Sequence, residues 1–443
     1  MEFKQYPSYK PSGVEWLGDV PEHWQIVRTK DIFNHRKEEA LEDDEIVTAF
    51  RDGQVTLRKN RRTDGFTNSI KEHGYQHINS GDLVIHEMDA FAGAIGVSDS
   101  SGKSTPVYSV CYAKNENINH HFYSHFFRTM AKTGFINSLA KGIRVRSTEF
   151  RWNESRNVYL VEPPKSDQQK IVAFLDTETT RIDNLISKQE KLIELLEEQR
   201  KSIISHAVTK GLNPNALMKD SGVEWLGRVP CDWQYYSIKR TIKVLTDYTA
   251  NGSFADLAKN VNYLDYGFSR LVRLTDLRED LNNNGVYITE DAHKYLKKSE
   301  LFGGELLLAN VGAYAGFACL MPYKKIKATL APNMFLLRFK EQRINNKFMY
   351  YLINSKTIQY QFQVSMTSTA QPKLNKDNVK NIVMFLPTLQ IQNEIVEYLD
   401  SENLILDNLI FKQQALIEKL KEYRASIISH AVTGKIDVRE HMA

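Results

Sequence analysis

The chain has 443 residues, 42% of them hydrophobic and 25% charged, a balance that points to an ordinary globular protein of two to four domains and excludes wholesale disorder. No run of about 18 apolar residues occurs, which excludes a membrane-spanning helix, and the opening Met-Glu-Phe-Lys-Gln-Tyr-Pro lacks the pattern of a secretory signal. Cys111, Cys231 and Cys319 are too dispersed for a disulfide framework or a metal knuckle, and a net charge of +4 is too mild to establish a polyanion partner, so the expectation is a soluble, cytoplasmic protein.

Repeats organise the chain. The box Ser12-Gly-Val-Glu-Trp-Leu-Gly18, with Val20-Pro21 and Trp24-Gln25 after it, recurs at an offset of 209 as Ser221 to Gly227, Val229-Pro230 and Trp233-Gln234. An insert, about 31–160, follows the first box and reads as mixed α/β. Ile78 to Ile85 predicts a turn leading into a strand, Gly93 to Gly96 and Val107 to Val110 predict further strands, and Asn119 to Arg128 predicts a helix. Residues 46–160 hold 15 Lys/Arg against 10 Asp/Glu. The positive charge concentrates at Arg58, Lys59, Arg61 and Arg62, and at Lys141, Arg144, Arg146 and Arg151. Such clusters neutralise phosphates, and arginine reads guanine bidentately; a solvated surface loop explains either cluster alone equally well.

Enzyme signatures are weak. Gly102-Lys-Ser-Thr105 resembles the end of a phosphate-binding loop, but Val97 stands where the earlier glycine is required, and a polar turn is the expectation. Glu162-Pro-Pro-Lys165 lacks the first-position Asn or Asp and the final aromatic of an amino-methyltransferase box, and reads as a rigid joint. His120, His121 and His125 read as packing or surface residues rather than metal ligands.

Residues 168–209 are helical and align with 392–433 at an offset of 224, with 26 of 42 positions identical. Both copies end in Ser-Ile-Ile-Ser-His-Ala-Val-Thr. Leu175, Ile182, Leu196 and Ile203 fall in one heptad register, Leu185 and Leu192 in the other, with Gln189 at a polar position of the first. The second copy places Leu399, Leu406, Leu420 and Ile427, then Leu409 and Leu416, with Gln413, at the same positions. Ile186, Ile193, Ile410 and Ile417 widen the stripe. At about 40 residues, or ~60 Å, each helix needs a partner, and the other copy is the economical one. The eight basic and eight acidic residues of 165–210 make this coiled coil a poor DNA surface, so it reads as a spacer and docking platform. His206 and His430 read as helix-interface residues.

The second insert, about 240–384, repeats the pattern of the first: Gly304 to Leu308, then Gly312 to Gly316, then a helix at Asn346 to Ile353. Arg273 and the polar stretch 365–375, with Thr367, Ser368, Gln371 and Lys373, are candidate DNA contacts; an ordinary polar loop accounts for that stretch as well. The fold class is α+β. The expected regions are 1–164, a long helix 165–212, 213–388, a second long helix 389–436 and a tail 437–443. No catalytic constellation stands out.

The two boxes, the Pro163-Pro-x-x-x-Gln168-Gln169 element and the paired helix ends resemble specificity subunits of type I restriction–modification systems. The similarity spans essentially the whole chain, including its duplicated order, and departs from the pattern at Leu386-Pro387-Thr388, where the second proline pair is reduced to one. The resemblance implies two target recognition domains, each reading half of an interrupted double-stranded DNA site. It implies a pseudo-twofold duplication in which the helices form an intramolecular antiparallel coiled coil and dock two methyltransferase subunits. It further implies a non-catalytic chain without a cofactor of its own, with S-adenosylmethionine, ATP and Mg on methyltransferase and motor-nuclease partners. The repeats alone also permit a scaffold that joins two protein-binding modules without reading DNA.

Overall fold

The computed structural model describes residues 3–61, 73–139, 150–366 and 371–440. They form two compact units, 1–190 with 414–443, and 191–413, so the divisions fall within the long helices rather than at their ends. Nor is the segment from 437 an appendage as far as it is described: Asp437 N–H donates to the Lys4 carbonyl at 2.8 Å, and Val438 is fully buried in the same core as Tyr6 and Trp24. Among the described residues no helix is long and apolar enough to cross a membrane.

The first unit is built on a four-stranded antiparallel sheet in the order Phe33–His35, Tyr108–Ala113, Leu83–His86, Ile95–Val97. The helix His120–Lys132 starts where the Asn119 side chain accepts the His121 and Phe122 N–H groups, and it buries Phe122, Phe126, Phe127 and Met130 in the core. Beside the sheet lie two strand pairs, Val47–Ala49 with Val55–Leu57 and Gln76–Ile78 with Gly102–Ser104. Gly102 to Ser104 is therefore a strand and not the expected polar turn. A Cβ on Gly102 would lie 2.4 Å from the Glu45 carbonyl oxygen, so glycine is needed there for close backbone approach.

The second unit repeats this frame with Ile242–Asp247, Met334–Phe339, Leu306–Ala309 and Ala318–Leu320 in the same order. Asn345 caps the helix Asn346–Ile353 as Asn119 caps its counterpart. Its second sheet has four strands, Val286–Ile288, Ser269–Val272, Ala328–Leu330 and Glu300–Leu301. The segment 312–316 is a turn rather than a strand: Gly312 and Gly316 take φ of 88° and 94°, left-handed values outside the extended region, and the strand starts at Ala318.

The repeated sequences are contact partners. In the second unit the end of the long helix Lys165–Lys210 packs Ala207 and Val208 with Leu226, Val229 and Trp233 of the box, and Lys210 Nζ donates to the carbonyls of Leu226 and Arg228. In the first unit the end of the helix Leu389–Val432 packs Ala431 and Val432 with Leu17, Val20 and Trp24, and Lys435 Nζ donates to the carbonyls of Leu17 and Asp19.

One buried glutamine joins each sheet domain to a long helix. Gln168 Nε2 donates to Asn117 and Pro163 carbonyls at 3.1 and 2.8 Å, while its Oε1 accepts the Asn119 N–H at 2.9 Å. Gln392 donates to the carbonyls of Arg343 and Pro387, both at 3.0 Å, and accepts the Asn345 N–H at 3.0 Å. The reduced proline pair thus leaves the joint chemistry unchanged.

Within each unit the two long-helix segments run antiparallel. Arg424 is bidentate to Asp183 at 2.9 and 3.0 Å in the first, and Arg200 meets Asp407 at 2.6 Å in the second. Leu175, Ile182, Leu399, Leu406 and Ile427 are buried, and Leu185, Gln189, Leu196, Ile203, Gln413 and Leu420 are half-buried. Leu192, Leu409 and Leu416 are instead 38%, 38% and 41% exposed, while Ile410 and Ile417 are 9% and 6% exposed. The second core position follows the first by four residues rather than three, as from Leu406 to Ile410, so Ile410 and Ile417, with half-buried Ile186 and Ile193 on the first helix, are covered in place of Leu409, Leu416 and Leu192 while the heptad itself is unbroken.

Four histidines of the first unit, His35, His86, His120 and His125, are held below their ordinary pKa, chiefly by burial. His125 is pushed down to about 3 by burial and then by Arg128 and other nearby cations. His125 stays neutral in the folded state, and the other three bind protons less readily there than in the unfolded chain, which takes up its imidazole protons below about pH 6.5. Their contribution is therefore present above pH 6.5 and lost on acidification. We expect unfolding of the first unit in urea to become easier between pH 7 and 5, His125 alone contributing about 2 kcal/mol of the loss. His125→Gln should flatten that dependence; an equally steep slope in the variant would contradict the assignment.

Candidate nucleic-acid interface

In the first unit the strands Val47–Ala49 and Val55–Leu57 form a hairpin through the turn 50–54, and a 3₁₀ turn at Arg58–Asn60 follows. Three predicted DNA contacts, Arg58, Lys59 and Arg61, come together here. Arg58 Nε donates to Thr48 Oγ1 at 3.2 Å, Lys59 pairs with Glu45, and Arg61 pairs with Asp52 at 2.6 Å while covering the Phe50 ring at 4.2 Å. Arg51, which the sequence did not single out, pairs with Asp89 at 2.8 Å. The hairpin and its neighbours enclose an open cleft of about 730 Å³ with Arg51, Arg58 and Arg61 at its margin and Val47, Ala49 and Tyr108 among its apolar lining.

The electrostatics of this rim suit exchange. Burial opposes ionisation of Asp52, but hydrogen bonds from Arg61 and from the Gln54 N–H outweigh it and hold the carboxyl below its ordinary pKa. Tyr108 is pushed up to about 12 by burial and stays a neutral phenol. Exposed ion pairs of this type contribute about 0–1 kcal/mol, so a phosphate can replace their carboxylates at small cost. From below, Arg128 supports the turn: a Cβ on Gly53 would lie 2.3 Å from its Nη1, and Gly53 takes φ of 95°. The Asp52-Gly53 pair is a hairpin signal that would have located this turn from the sequence.

Other predicted contacts are dispersed. Arg151 opens the short helix Trp152–Ser155. In the second unit Arg273 follows the strand Ser269–Val272 and holds Asp276 at 2.8 Å. Gln371 is exposed, and Lys373 forms an isolated bridge with Val311. Arg62, Lys141, Arg144, Arg146, Thr367 and Ser368 lie outside the described residues. His120 accepts the Ala113 N–H at 3.0 Å, and among the described residues no group of three or more His, Cys, Asp or Glu is placed to hold a metal ion.

Comparison with known proteins places these features in context. The family model described as the type I restriction modification DNA specificity domain matches residues 21–196 and again 232–421. The MjaVIII specificity subunit of Methanocaldococcus jannaschii, a type I restriction enzyme subunit, is 24% identical over 430 residues, covering 95% of this chain and 94% of its own. The StySPI specificity subunit of Salmonella potsdam is 21% identical over 445 residues, covering 95% and 90%. Among solved structures, a chain from a type I R-M system superimposes with a TM-score of 0.67 at 14% identity, over 93% of this chain and 98% of that one. The HsdS subunit of Thermoanaerobacter tengcongensis gives 0.55 at 15% identity, over 94% and 98%.

Proposed function

The chain belongs to the family of type I restriction–modification specificity subunits, and on that premise we propose that each of its two units reads one half of an interrupted duplex DNA target. The observation that carries this reading is one strand-and-helix frame built twice, on inserts whose sequences differ. Two similar modules on one chain suit two half-sites separated by unread DNA. The chain supplies recognition, and methylation of adenine falls to two methyltransferase subunits that bring S-adenosylmethionine; motor-nuclease subunits add ATP- and Mg-dependent cleavage.

The long helices supply the docking face for the methyltransferase subunits. Leu195 on the first and Leu404, Ile405 and Phe411 on the second are exposed, Phe411 to 70%, and such apolar clusters on a helix surface mark protein interfaces.

Co-expression with a methyltransferase subunit in a methylation-free host, followed by sequencing for modified adenine, tests the reading. A two-part motif with a fixed gap, absent when either protein is omitted, is expected. Exchange of 31–160 for the matching region of a relative should change one half of that motif and leave the other intact. Altered sequence in both halves would contradict modular reading, and soluble, associated proteins that leave the DNA unmodified would favour a scaffold.

A further inference from the structure

The hairpin that rims the cleft of the first unit has a counterpart in the second. In the first, Ile46 bridges in parallel to Lys103, whose strand pairs antiparallel with Gln76–Ile78. In the second, Arg270 to Val272 pair in parallel with Ala328–Leu330, which pairs antiparallel with Glu300–Leu301. Val47–Ala49 and Val55–Leu57 therefore correspond to Ser269–Val272 and Val286–Ile288. The connection closing the hairpin is residues 50–54 in one unit and 273–285 in the other. The frame is constant and the connection is not, so the connection is where the two units acquire different surfaces.

The longer connection is held in place from within. Arg270, 5% exposed, donates to the Leu281 carbonyl at 2.7 Å, and to the Asn283 carbonyl and Oδ1 at 3.2 and 2.7 Å. Asp276, fully buried, accepts from Arg273 at 2.8 Å and from Asn283 Nδ2 at 2.9 Å. Asp280 and Leu281 are fixed at φ of 49° and 61°, left-handed values that non-glycine residues keep only when their surroundings impose them. Lys324 Nζ ties down Asn282 Oδ1 at 3.1 Å. Beyond these anchors stands Asn284, exposed, with only its carbonyl engaged, at 3.5 Å from Arg273 Nη2. Among the described residues its side-chain amide makes no hydrogen bond, which leaves both donor and acceptor available. That pair matches the N6/N7 edge of adenine in the major groove, and exposed Arg278 and Lys325 are suited to phosphate.

Resting on the reading of the two units as half-site readers, we infer that the connection 273–285 is the reading element of the second unit and that Asn284 is a specificity-determining residue contacting a base, with Arg270 and Asp276 as positioning residues. The test uses the full chain co-expressed with its methyltransferase subunit in a methylation-free host, comparing wild type, Asn284→Ala and Asn284→Asp by adenine-methylation sequencing, with thermal unfolding to verify each fold. Both variants should relax the motif at a single position of one half, preference for the wild-type base falling on the order of tenfold, while the other half and the gap persist. A wild-type bipartite motif that both folded variants reproduce, or relaxation in both halves, would overturn the inference and leave the half-site reading standing. Absence of any bipartite motif from the wild-type complex would overturn both.

Discussion

Replacing Gln168 with leucine is expected to lower the stability of the first unit by about 2–4 kcal/mol, although the two side chains are close in size. The change strands three backbone groups, the buried carbonyl of Pro163 and the part-buried Asn119 N–H and Asn117 carbonyl. A buried polar group that loses its partner costs about 1–3 kcal/mol, and carbonyls recover part of this by adjusting to neighbours. The Asn119 N–H is the most constrained, because the same residue caps the helix His120–Lys132 and cannot move without disturbing the cap. Gln392→Leu should behave alike in the second unit through Asn345. Gln169, the next residue along from Gln168, is exposed, and its leucine variant should stay within about 0.5 kcal/mol of wild type. Urea unfolding of the three variants makes the comparison. Equal losses at 168 and 169 would show that the buried bracket contributes nothing beyond ordinary helix-surface polarity. Total stabilities of about 5–15 kcal/mol are usual, so the double variant Gln168→Leu/Gln392→Leu should also lose methylation at 37 °C.

These glutamines show why part of the molecule was legible in the sequence and part was not. Their repetition at an offset of 224 marked them as part of a common element, but nothing local revealed that their partners sit about 50 residues earlier at a helix cap. The boxes were legible as repeats for the same reason, and their function as seats for the helix ends emerged only when Trp24 was found in one core with Ala431 and Val432. The heptad pattern gave the helices, but with apolar residues at both Leu409 and Ile410, and at both Leu416 and Ile417, spacing alone does not decide which of each pair faces the partner helix; the structure covers Ile410 and Ile417. Runs of charge in the sequence make Arg58, Lys59 and Arg61 candidate DNA contacts. Arg51 and Asn284 are isolated in sequence and become candidates only through the hairpins that display them. Asn284 in particular depends on Arg270 and Asp276, whose charges are spent inside the fold, the opposite of what a search for basic surface assumes.

Insertion of one heptad into both long helices, between Glu190 and Lys191 and between Gln413 and Gln414, should lengthen the unread gap of the methylation motif by about three base pairs without altering either half. The insertion points are the divisions between the two units, so neither sheet domain is disturbed. Seven residues add about 10 Å of helix and turn it by only about 20° relative to the seam, so the apolar stripe stays in register. An insertion in one helix alone leaves its added residues without partners and should reduce assembly. On the DNA the same 10 Å is about three steps of 3.4 Å, and these carry the second half-site about a third of a turn around the duplex. Methylation by the single-heptad variant should therefore be weaker than wild type even at its own preferred gap. Three heptads in each helix add about 31 Å, close to one turn of DNA, and should return the half-site to its original face, restoring much of the activity on a target lengthened by nine or ten base pairs. Sequencing of modified adenine in the methylation-free host reads gap, half-sites and extent together. An unchanged gap in an active variant would show that the helices do not set the spacing, and equal activity for one and three heptads would show that the DNA bends or twists to accommodate any phase.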